Sequence, residues 1–431
     1  MKNFKKVLAL LLAAIFVVGI LAACSGNGGG QQGGGEQGSE EQGGGEQQTT
    51  PEEGGEQGGA ETNLKVGLIC LHDENSTYDL NFINAFKQVC SELGLVEGES
   101  YFIKVNKGEN EECYQAACEL VDSGCSIIFA DSFGHEDYML QAAIENPDVQ
   151  FCHATGTKAH TENVANYHNA FASIYEGRYL AGIAAGMKIN AMIEEGKITP
   201  EQTKMGYVGA YPYAEVKSGY TSFYLGAKSV CPTVTMLVTF TNSWYDETLE
   251  KTGAQTLIDQ GCVLISQHAD SMGAPTACEA AGVPNVSYNG STISAAPNTF
   301  IVSSRIDWAP YYRYAIDCVK NGQPIDVDYV GTLETGSVCL TEVNEAVAAP
   351  GTVEAIEAAK AEMQAGTLHV FDTANFTKGG ETLTSYLADV DDMGDFAPET
   401  EVISDGYFHE SEYRSAPYFD IDIDGITILG E

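Results

Sequence analysis

The chain has 431 residues, of which 61 are acidic and 21 are basic, so its formal net charge at pH 7 is −40. A charge of this sign repels nucleic acid and other polyanions, and it favours a neutral or cationic ligand. The length exceeds what one hydrophobic core usually supports, so two domains or lobes are expected.

The N-terminal segment has the features of a secreted, lipid-anchored protein. Lys2, Lys5 and Lys6 precede an apolar run over residues 7–23, and small residues lead directly to Cys24. This pattern is typical of a secretory signal, and the cysteine after the small residues resembles a bacterial lipobox. We therefore expect residues 1–23 to be a signal peptide, and Cys24 to carry lipid on the extracytoplasmic face of the cell membrane. The alternative is an uncleaved anchor, because the run is near the lower length limit for a membrane span.

Residues 24–62 are predicted to be a disordered tether. Beyond Cys24 the segment consists mainly of Gly, Glu and Gln and contains no basic residue. Such a composition cannot bury enough apolar surface to offset the entropy lost on ordering.

Two series of alternating strands and helices follow the tether. The first has strands at 64–70, 101–105, 126–130 and 150–154, and a long helix at 173–190 leads to the second, with strands at 204–209, 234–240, 263–267 and 285–288. Strands that alternate with helices of this length indicate parallel sheets covered on both faces. The predicted fold class is therefore α/β, with two doubly wound lobes and a cleft at the carboxyl ends of the strands.

The end of the second series is predicted to return to the first lobe. A strand at 299–304 and a helix at 308–319 would make the crossing, so the chain would pass between lobes more than once and form a hinge. The predicted N-terminal lobe is 63–172 plus about 297–335, and the C-terminal lobe is 173–296 plus about 336–372. Residues 373–431 are predicted to form a β-rich extension.

Motifs for catalysis and for cofactor binding are missing from the sequence. It has no G-x-S-x-G elbow, no H-E-x-x-H helix, no phosphate-binding P-loop and no G-x-G-x-x-G turn. The eleven cysteines beyond Cys24 include no C-x-x-C pair, and several lie in apolar strands where thiols behave as small hydrophobic groups. We expect a binding protein with no catalytic residue, no metal and no cofactor.

The C-terminus matches the spacing of an EF-hand calcium loop, from Asp420 through Asp422 and Asp424 to Glu431. Residues 418–429 also alternate apolar and polar side chains around Asp424 and Gly425, which is typical of a β-hairpin. The hairpin is favoured over calcium.

Polar and aromatic side chains are concentrated in the loops that follow the predicted strands. Facing aromatic rings would hold a flat ligand, and carboxylates would accept hydrogen bonds from its hydroxyl groups. Each residue alone could equally be a helix cap or a packed loop side chain, as Asp79 and Asp246 could be. The candidate ligand-binding residues are Tyr78, Asn81, Phe82, Phe133, Asp137, Tyr213, Trp244, His268, Asp270 and Arg305.

These loops resemble the basic membrane protein family, the lipoprotein receptors of ABC importers that include purine-nucleoside-binding members. The resemblance covers about residues 65–372 and is carried by Ser132-Phe133-Gly134-x-x-Asp137, Tyr175-Glu-Gly-Arg178-Tyr179-Leu-Ala-Gly182, Gly206-Tyr-Val-Gly209, Trp244-Tyr-Asp246, Gln267-His268-Ala-Asp270-Ser271 and Ser303-Ser304-Arg305. It implies a type I periplasmic-binding fold and capture of a solute for importer subunits. By the same resemblance, Tyr78 or Phe82 would stack on a base, and Arg305 would replace a frequent lysine.

The leading hypothesis is a tethered receptor that closes on a purine nucleoside or a similar heteroaromatic solute and delivers it to an ABC permease. Two alternatives stay open. One is a surface hydrolase that uses two cleft carboxylates as acid and base, and the other is a sensor ectodomain.

Overall fold

The computed structural model describes residues 64–390 and 397–430. The predicted signal peptide, Cys24 and the tether lie outside the described residues. In the described part of the chain, two main sheets form the centres of two lobes.

The first lobe is built from the first series of strands and helices. Its sheet has the order β11-β5-β4-β3-β1-β2, and all of its pairings are parallel. Its central strands β1 and β3 are continuous apolar runs, which is expected where helices cover both faces of a parallel sheet. Its elements before the first crossing are β1 (Val66–Ile69), α1 (Thr77–Glu92), β2 (Tyr101–Lys104), α2 (Glu111–Asp122), β3 (Ile127–Ala130), α3 (Glu136–Glu145), β4 (Gln150–Ala154), α4 (Lys158–Glu162) and β5 (Tyr167–Ala172).

The second lobe begins with the long helix α5 (Ile174–Glu194). Its sheet has the order β12-β10-β9-β8-β6-β7-β17, parallel except where β12 meets β10. The elements that follow α5 are β6 (Lys204–Gly209), α6 (Ala214–Val230), β7 (Thr235–Phe240), α7 (Glu247–Asp259), β8 (Leu264–His268), α8 (Gly273–Ala281), β9 (Asn285–Tyr288) and β10 (Phe300–Ile306).

Two further crossings complete the lobes. Helix α9 (Ala309–Asn321) packs on α1, and β11 (Asp328–Gly331) pairs with β5 in the first sheet. The chain then returns through β12 (Val338–Leu340) to α10 (Thr352–Gln364), which packs on α5. The α/β architecture is therefore confirmed. The chain crosses between the two lobes more than once, and these crossings together form the hinge.

One predicted strand lies in the other lobe. The strand expected at 299–304 was assigned to the first lobe, but β10 pairs with β9 and β12 in the second sheet. The crossing comes after β10, where the Asp307 carboxylate accepts the backbone N–H of Ala309 at the start of α9. The strand β5 was not predicted, because its sequence is rich in polar residues although every residue in it is buried.

The C-terminal extension contains the short strands β13 (Leu387–Ala388), β14 (Thr400–Glu401), β15 (Ile403–Ser404) and β16 (Tyr407–Phe408), and then β17 (Ile426–Ile428). The predicted terminal hairpin is wrong, since β17 pairs in parallel with β7 at the edge of the second sheet. A sheet edge presents unpaired N–H and C=O groups, and β17 satisfies those of β7.

The acidic residues of the EF-hand pattern fix this extension in place. Asp420 and Asp422 form ion pairs with Lys217 at 2.7 and 3.0 Å. Asp424 accepts the Thr377 hydroxyl at 2.6 Å and the N–H of Gly380 at 2.7 Å. Protein donors and a lysine therefore occupy these carboxylates.

The described residues contain neither a disulfide bond nor a helix of the length and apolarity of a membrane span. The eleven cysteines there are free thiols, most of them buried. Among the helices described, none is both long and apolar enough to cross a bilayer.

Helices α5 and α6 approach each other at glycines. A Cβ on Gly182 would lie 2.1 Å from the carbonyl oxygen of Phe223, and one on Gly226 would lie 2.0 Å from that of Tyr179. Since backbone stands on the opposite side of each contact, no side chain can move aside.

We expect Gly182→Ala to lower the free energy of unfolding by about 1–3 kcal/mol, because the methyl group must push the two helices apart. The control is Gly253→Ala in α7, where the methyl would meet only side-chain methyl groups at 3.3 Å or more and should raise stability by up to about 1 kcal/mol. Urea denaturation of both variants checks the prediction, and equal midpoints would contradict it.

Candidate functional site

The candidate site is a cavity between the lobes, at the carboxyl ends of the strands of both sheets. The space between its lining atoms, including the part open to solvent, is about 380 Å³. We call it the cleft cavity. Loops and first helical turns from both lobes supply its lining, which comprises Leu71, His72, Tyr78, Asp79, Ser132, Phe133, Thr155, Glu215, Trp244, His268, Asp270 and Tyr288.

Aromatic rings from both lobes line the cleft cavity. Tyr78 and Phe133 come from the first lobe, and Trp244 and Tyr288 come from the second. The hydroxyl of Tyr78 donates to the carbonyl of Asp131 at 2.7 Å, and the Trp244 ring meets Tyr211 edge-on with centroids 5.0 Å apart. These contacts restrict the rings before any ligand arrives, which lowers the entropy lost on binding.

Two carboxylates of the first lobe share a buried position. Asp79 accepts the backbone N–H of His72 at 2.7 Å and the hydroxyl of Ser76 at 2.5 Å. Burial opposes ionisation of Asp79, but the hydrogen bonds from His72 and Ser76 outweigh it and lower the pKa of its carboxyl group. Burial and the neighbouring charge of Asp79 raise the pKa of Asp131 well above its ordinary value. Ionisation of the pair is therefore favoured at Asp79 and opposed at Asp131.

The same two carboxylates form a possible ligand set with the thiol of Cys70, since their atoms lie within 4.8 Å of one another. Burial, followed by the charge of Asp131, raises the pKa of the Cys70 thiol well above its ordinary value. A metal would need a thiolate here, and the raised pKa of Cys70 disfavours one.

Hydrogen bonds join the lobes at the floor of the cleft cavity. The carbonyl of Asp270 accepts the backbone N–H of Thr77 at 3.0 Å and its hydroxyl at 3.2 Å. The Asp270 carboxylate accepts the amide of Asn289 at 3.1 Å, and the Asn289 oxygen accepts the amide of Asn81 at 3.5 Å. The first turn of α1 is thus bound to the loop after β8, which is a closed arrangement of the lobes.

The second lobe adds two acidic groups and a neutral histidine. Burial, and then the charges of Glu250 and Asp79, raises the pKa of Asp270 well above its ordinary value. Burial and the nearby Arg178 guanidinium lower the pKa of His268 to about 4, although Glu215 lies 3.3 Å from its Nε2. His268 is therefore uncharged at neutral pH and offers one donor and one acceptor.

Arg178 is buried against Tyr288, one of the lining residues of the cleft cavity. Its guanidinium carbon is 3.3 Å from the centre of the Tyr288 ring, and one terminal nitrogen donates to the carbonyl of Gln267 at 3.0 Å. The cation stacks on the ring and holds it in position.

Half of the residues predicted from the sequence line the cleft cavity, namely Tyr78, Phe133, Trp244, His268 and Asp270. The others lie nearby or elsewhere. Phe82 is buried against Trp308 with centroids 4.1 Å apart, and Asn81 contacts Asn289. Tyr213 stacks on Tyr211 at 5.1 Å outside the lining.

Asp137 and Arg305 also lie outside the cleft cavity, in ion pairs. Asp137 pairs with Lys158, and Arg305 pairs with Asp307 at 3.4 Å. Both residues are in regular elements, α3 and β10, and their charges are met by neighbours in the same lobe.

Sequence reasoning missed or misjudged several lining residues. Asp79 was considered as the cap of α1, but Ser76 is the cap, and Asp79 sits in the first turn facing the cavity. Asp246 does cap α7, through a hydrogen bond from Leu249 N–H at 2.8 Å. Glu215 and Tyr288 were not predicted as site residues. Tyr288 is the last residue of β9, a strand that was predicted, and Glu215 lies in the first turn of α6.

Comparison with known proteins agrees with this geometry. Residues 78–364 match the family model described as ABC transporter substrate-binding protein PnrA-like. The chain belongs to this family. Its members are solute-binding proteins that act outside the cytoplasm and are not enzymes, and the resemblance to the basic membrane protein family is thereby confirmed.

Two relatives and one solved structure are similar to this chain. The chain is 31% identical to a purine-binding protein of Brucella abortus, over 77% of this chain and 94% of the relative. It is 35% identical to a putative ABC transporter glucose-binding protein of Haloferax volcanii, over 50% of this chain and 51% of the relative. An ABC transporter solute-binding protein of Aeropyrum pernix shares the fold, with a TM-score of 0.60 at 16% identity over 74% of this chain and 94% of that one.

Proposed function

We propose that this PnrA-like protein captures a purine nucleoside, or an uncharged heteroaromatic solute of similar size, in the cleft cavity. The observation that carries the proposal is a cavity between the lobes with aromatic rings contributed by both of them. Rings on opposite lobes can hold a flat ring between them when the lobes close. The name of the Brucella relative supports the same ligand class.

The charges of the lining support an uncharged ligand rich in hydrogen-bond donors. Asp79, Glu215 and Asp270 line the cleft cavity, and no lysine or arginine is among the described residues that do so. A base with ring N–H groups and a ribose with hydroxyls can donate to these carboxylates. A phosphate group would meet negative charge with no cation to receive it, so nucleotides are expected to be rejected.

The biological role that we propose is delivery of the solute to the permease of an ABC importer. Family membership and the hinge of several connections support this role, because closure of the lobes distinguishes the loaded receptor from the empty one. Lipid attachment at Cys24 would keep the receptor beside the permease, and the tether over 24–62 would let it reach the permease surface.

Lipid attachment is tested by expression in a bacterial host with an alkyne-tagged fatty acid. We expect the wild type to be labelled and Cys24→Ala to lose the label, since the acylated residue is the cysteine after the signal. Cys70→Ala should keep the label because Cys70 is buried. Label retained by Cys24→Ala would rule out this anchor.

Ligand class is tested by isothermal titration with adenosine, guanosine, inosine, xanthosine, riboflavin and glucose. We expect a nucleoside to bind, and its 5′-monophosphate to bind at least about 100-fold more weakly, because like charges brought together in a cavity cost several kcal/mol. Glu215→Gln removes one negative charge from the lining, so it should reduce the difference in affinity between the nucleoside and its 5′-monophosphate. If none of the five heteroaromatic compounds produces heat, the ligand class is wrong, and free base in the recovered sample would instead point to a hydrolase.

Trp244→Ala should weaken binding of the best nucleoside at least about tenfold, because it removes the largest aromatic surface that the second lobe contributes. Leu249→Ala, an exposed apolar truncation on α7 of the same lobe, is the matched control and should bind like the wild type. The dissociation constants are measured by titration calorimetry. An unchanged constant for Trp244→Ala would remove this residue from the site.

A further inference from the structure

A second cavity lies behind the hinge, where the C-terminal extension meets the connections between the lobes. The space between its lining atoms, including the part open to solvent, is about 800 Å³, and it shares no lining residue with the cleft cavity. The start of α5 contributes Tyr175 and Glu176, the end of β11 contributes Val330, and the extension contributes residues 407–412. We call it the hinge cavity.

Aromatic side chains form much of its wall. His369, Tyr407 and His409 are stacked in a column, with successive ring centroids 3.8 and 3.9 Å apart. The ring of Tyr175 lies 5.3 Å from that of Phe371 on another part of the lining. A ligand in the hinge cavity would therefore contact rigid, preformed aromatic surface.

The charged groups of the lining are acidic. Three carboxylates line the hinge cavity, those of Glu176, Glu410 and Glu412, and none of its described lining residues is lysine or arginine. Glu176 accepts the Ser173 hydroxyl at 2.9 Å, and Glu412 pairs with His409. Burial raises the pKa of Glu410 to about 7, although Ser218, Tyr418 and the charge of Arg414 act to lower it. The Arg414 side chain also donates to the carbonyls of Ala416 and Pro417.

Glu410 and Ser411 carry buried polar atoms whose hydrogen bonding is incomplete. Glu410 is 4% exposed, and its Oε2 accepts the backbone N–H of Tyr418 at 3.3 Å. Its Oε1 has no hydrogen-bond partner within 3.5 Å among the described residues, although Ser218 is near enough to lower the pKa of the carboxyl group. The hydroxyl of Ser411 is likewise buried and unpartnered, and this residue has a φ of 61°. Buried polar atoms without partners and a left-handed non-glycine backbone are both costly, and they are retained mostly at functional sites.

We propose that the hinge cavity is a second binding site, for a small organic amine in its protonated form. The ammonium group would donate to Glu410 Oε1 and neighbouring carboxylates, and the carbon part of the amine would lie on the aromatic wall. A charged donor satisfies a buried carboxylate more strongly than a neutral donor does. An anion is disfavoured by the same carboxylates.

The probe is phenethylamine, compared with its neutral isostere 2-phenylethanol, by titration calorimetry on the full chain. We expect the amine to bind at least about tenfold more tightly than the alcohol, since a hydrogen bond between two charged groups is stronger than one from a neutral hydroxyl. Saturation with the nucleoside that fills the cleft cavity should leave amine binding in place. No heat up to about 10 mM amine, equal affinity for the alcohol, or displacement by the nucleoside would each overturn the proposal.

Variants assign the binding to these residues. Glu410→Gln keeps the shape of the side chain but removes its charge, and should weaken amine binding at least about tenfold. Glu162→Gln, an exposed change on α4, is the matched control and should bind like the wild type. Tyr175→Ala should bind the amine more weakly than the wild type, whereas Tyr175→Phe should bind it like the wild type. The reason is that the ring of Tyr175, and not its hydroxyl, supplies the contact with the amine.

The comparison of amine with alcohol on the wild type needs no variant, so it decides the outcome even if Glu410→Gln does not fold. Unchanged amine affinity in a folded Glu410→Gln would place the amine elsewhere. This test is independent of the proposed nucleoside site, because it can fail while nucleoside binding succeeds.

Discussion

The contact between Thr77 and the carbonyl of Asp270 is the interaction on which the site depends. It joins the first turn of α1 in one lobe to the loop after β8 in the other. The first N–H groups of a helix have no partner within the helix, so α1 can donate across the cleft without losing an internal hydrogen bond. Together with the contact between Asn81 and Asn289, this junction holds the two lobes closed on the cleft cavity.

Acidic residues determine what the cleft cavity can accept. Burial raises the pKa of Asp131 and Asp270, which opposes the accumulation of negative charge around the cleft cavity. Asp79 stays ionised because its neighbours donate hydrogen bonds to it. The result is a cavity that presents acceptors and few charges, which suits a neutral ligand with several donors.

The C-terminal extension connects both lobes and covers a sheet edge. Its strand β17 completes the second sheet, and the N–H of Ser415 donates to Asp328 of the first sheet at 2.5 Å. Tyr175, at the beginning of α5, donates to the carbonyl of Glu410 at 3.3 Å. Opening of the lobes would therefore have to move or strain this extension, which gives the hinge cavity a place close to the motion of the hinge.

Most of the fold could be predicted from the sequence, because parallel strands buried on both faces are apolar runs separated by amphipathic helices. The prediction failed at β5, where polar residues are buried by hydrogen bonding, and at β10 and β17, whose apolar pattern does not say which sheet they join. Strand pairing depends on which edge is free, and the edge of β7 is created by the rest of the sheet.

The candidate site divides in the same way. Aromatic and polar residues follow the predicted strands, so Tyr78, Phe133, Trp244, His268 and Asp270 could be found from the strand ends in the sequence. The structure was needed to see that Phe82 turns into the core, that Asp137 and Arg305 pair with charges of their own lobe, and that Asp79 faces the cavity. The end of a strand gives the approximate position of the residues that follow it. The direction of each side chain, however, depends on neighbours that are distant in sequence.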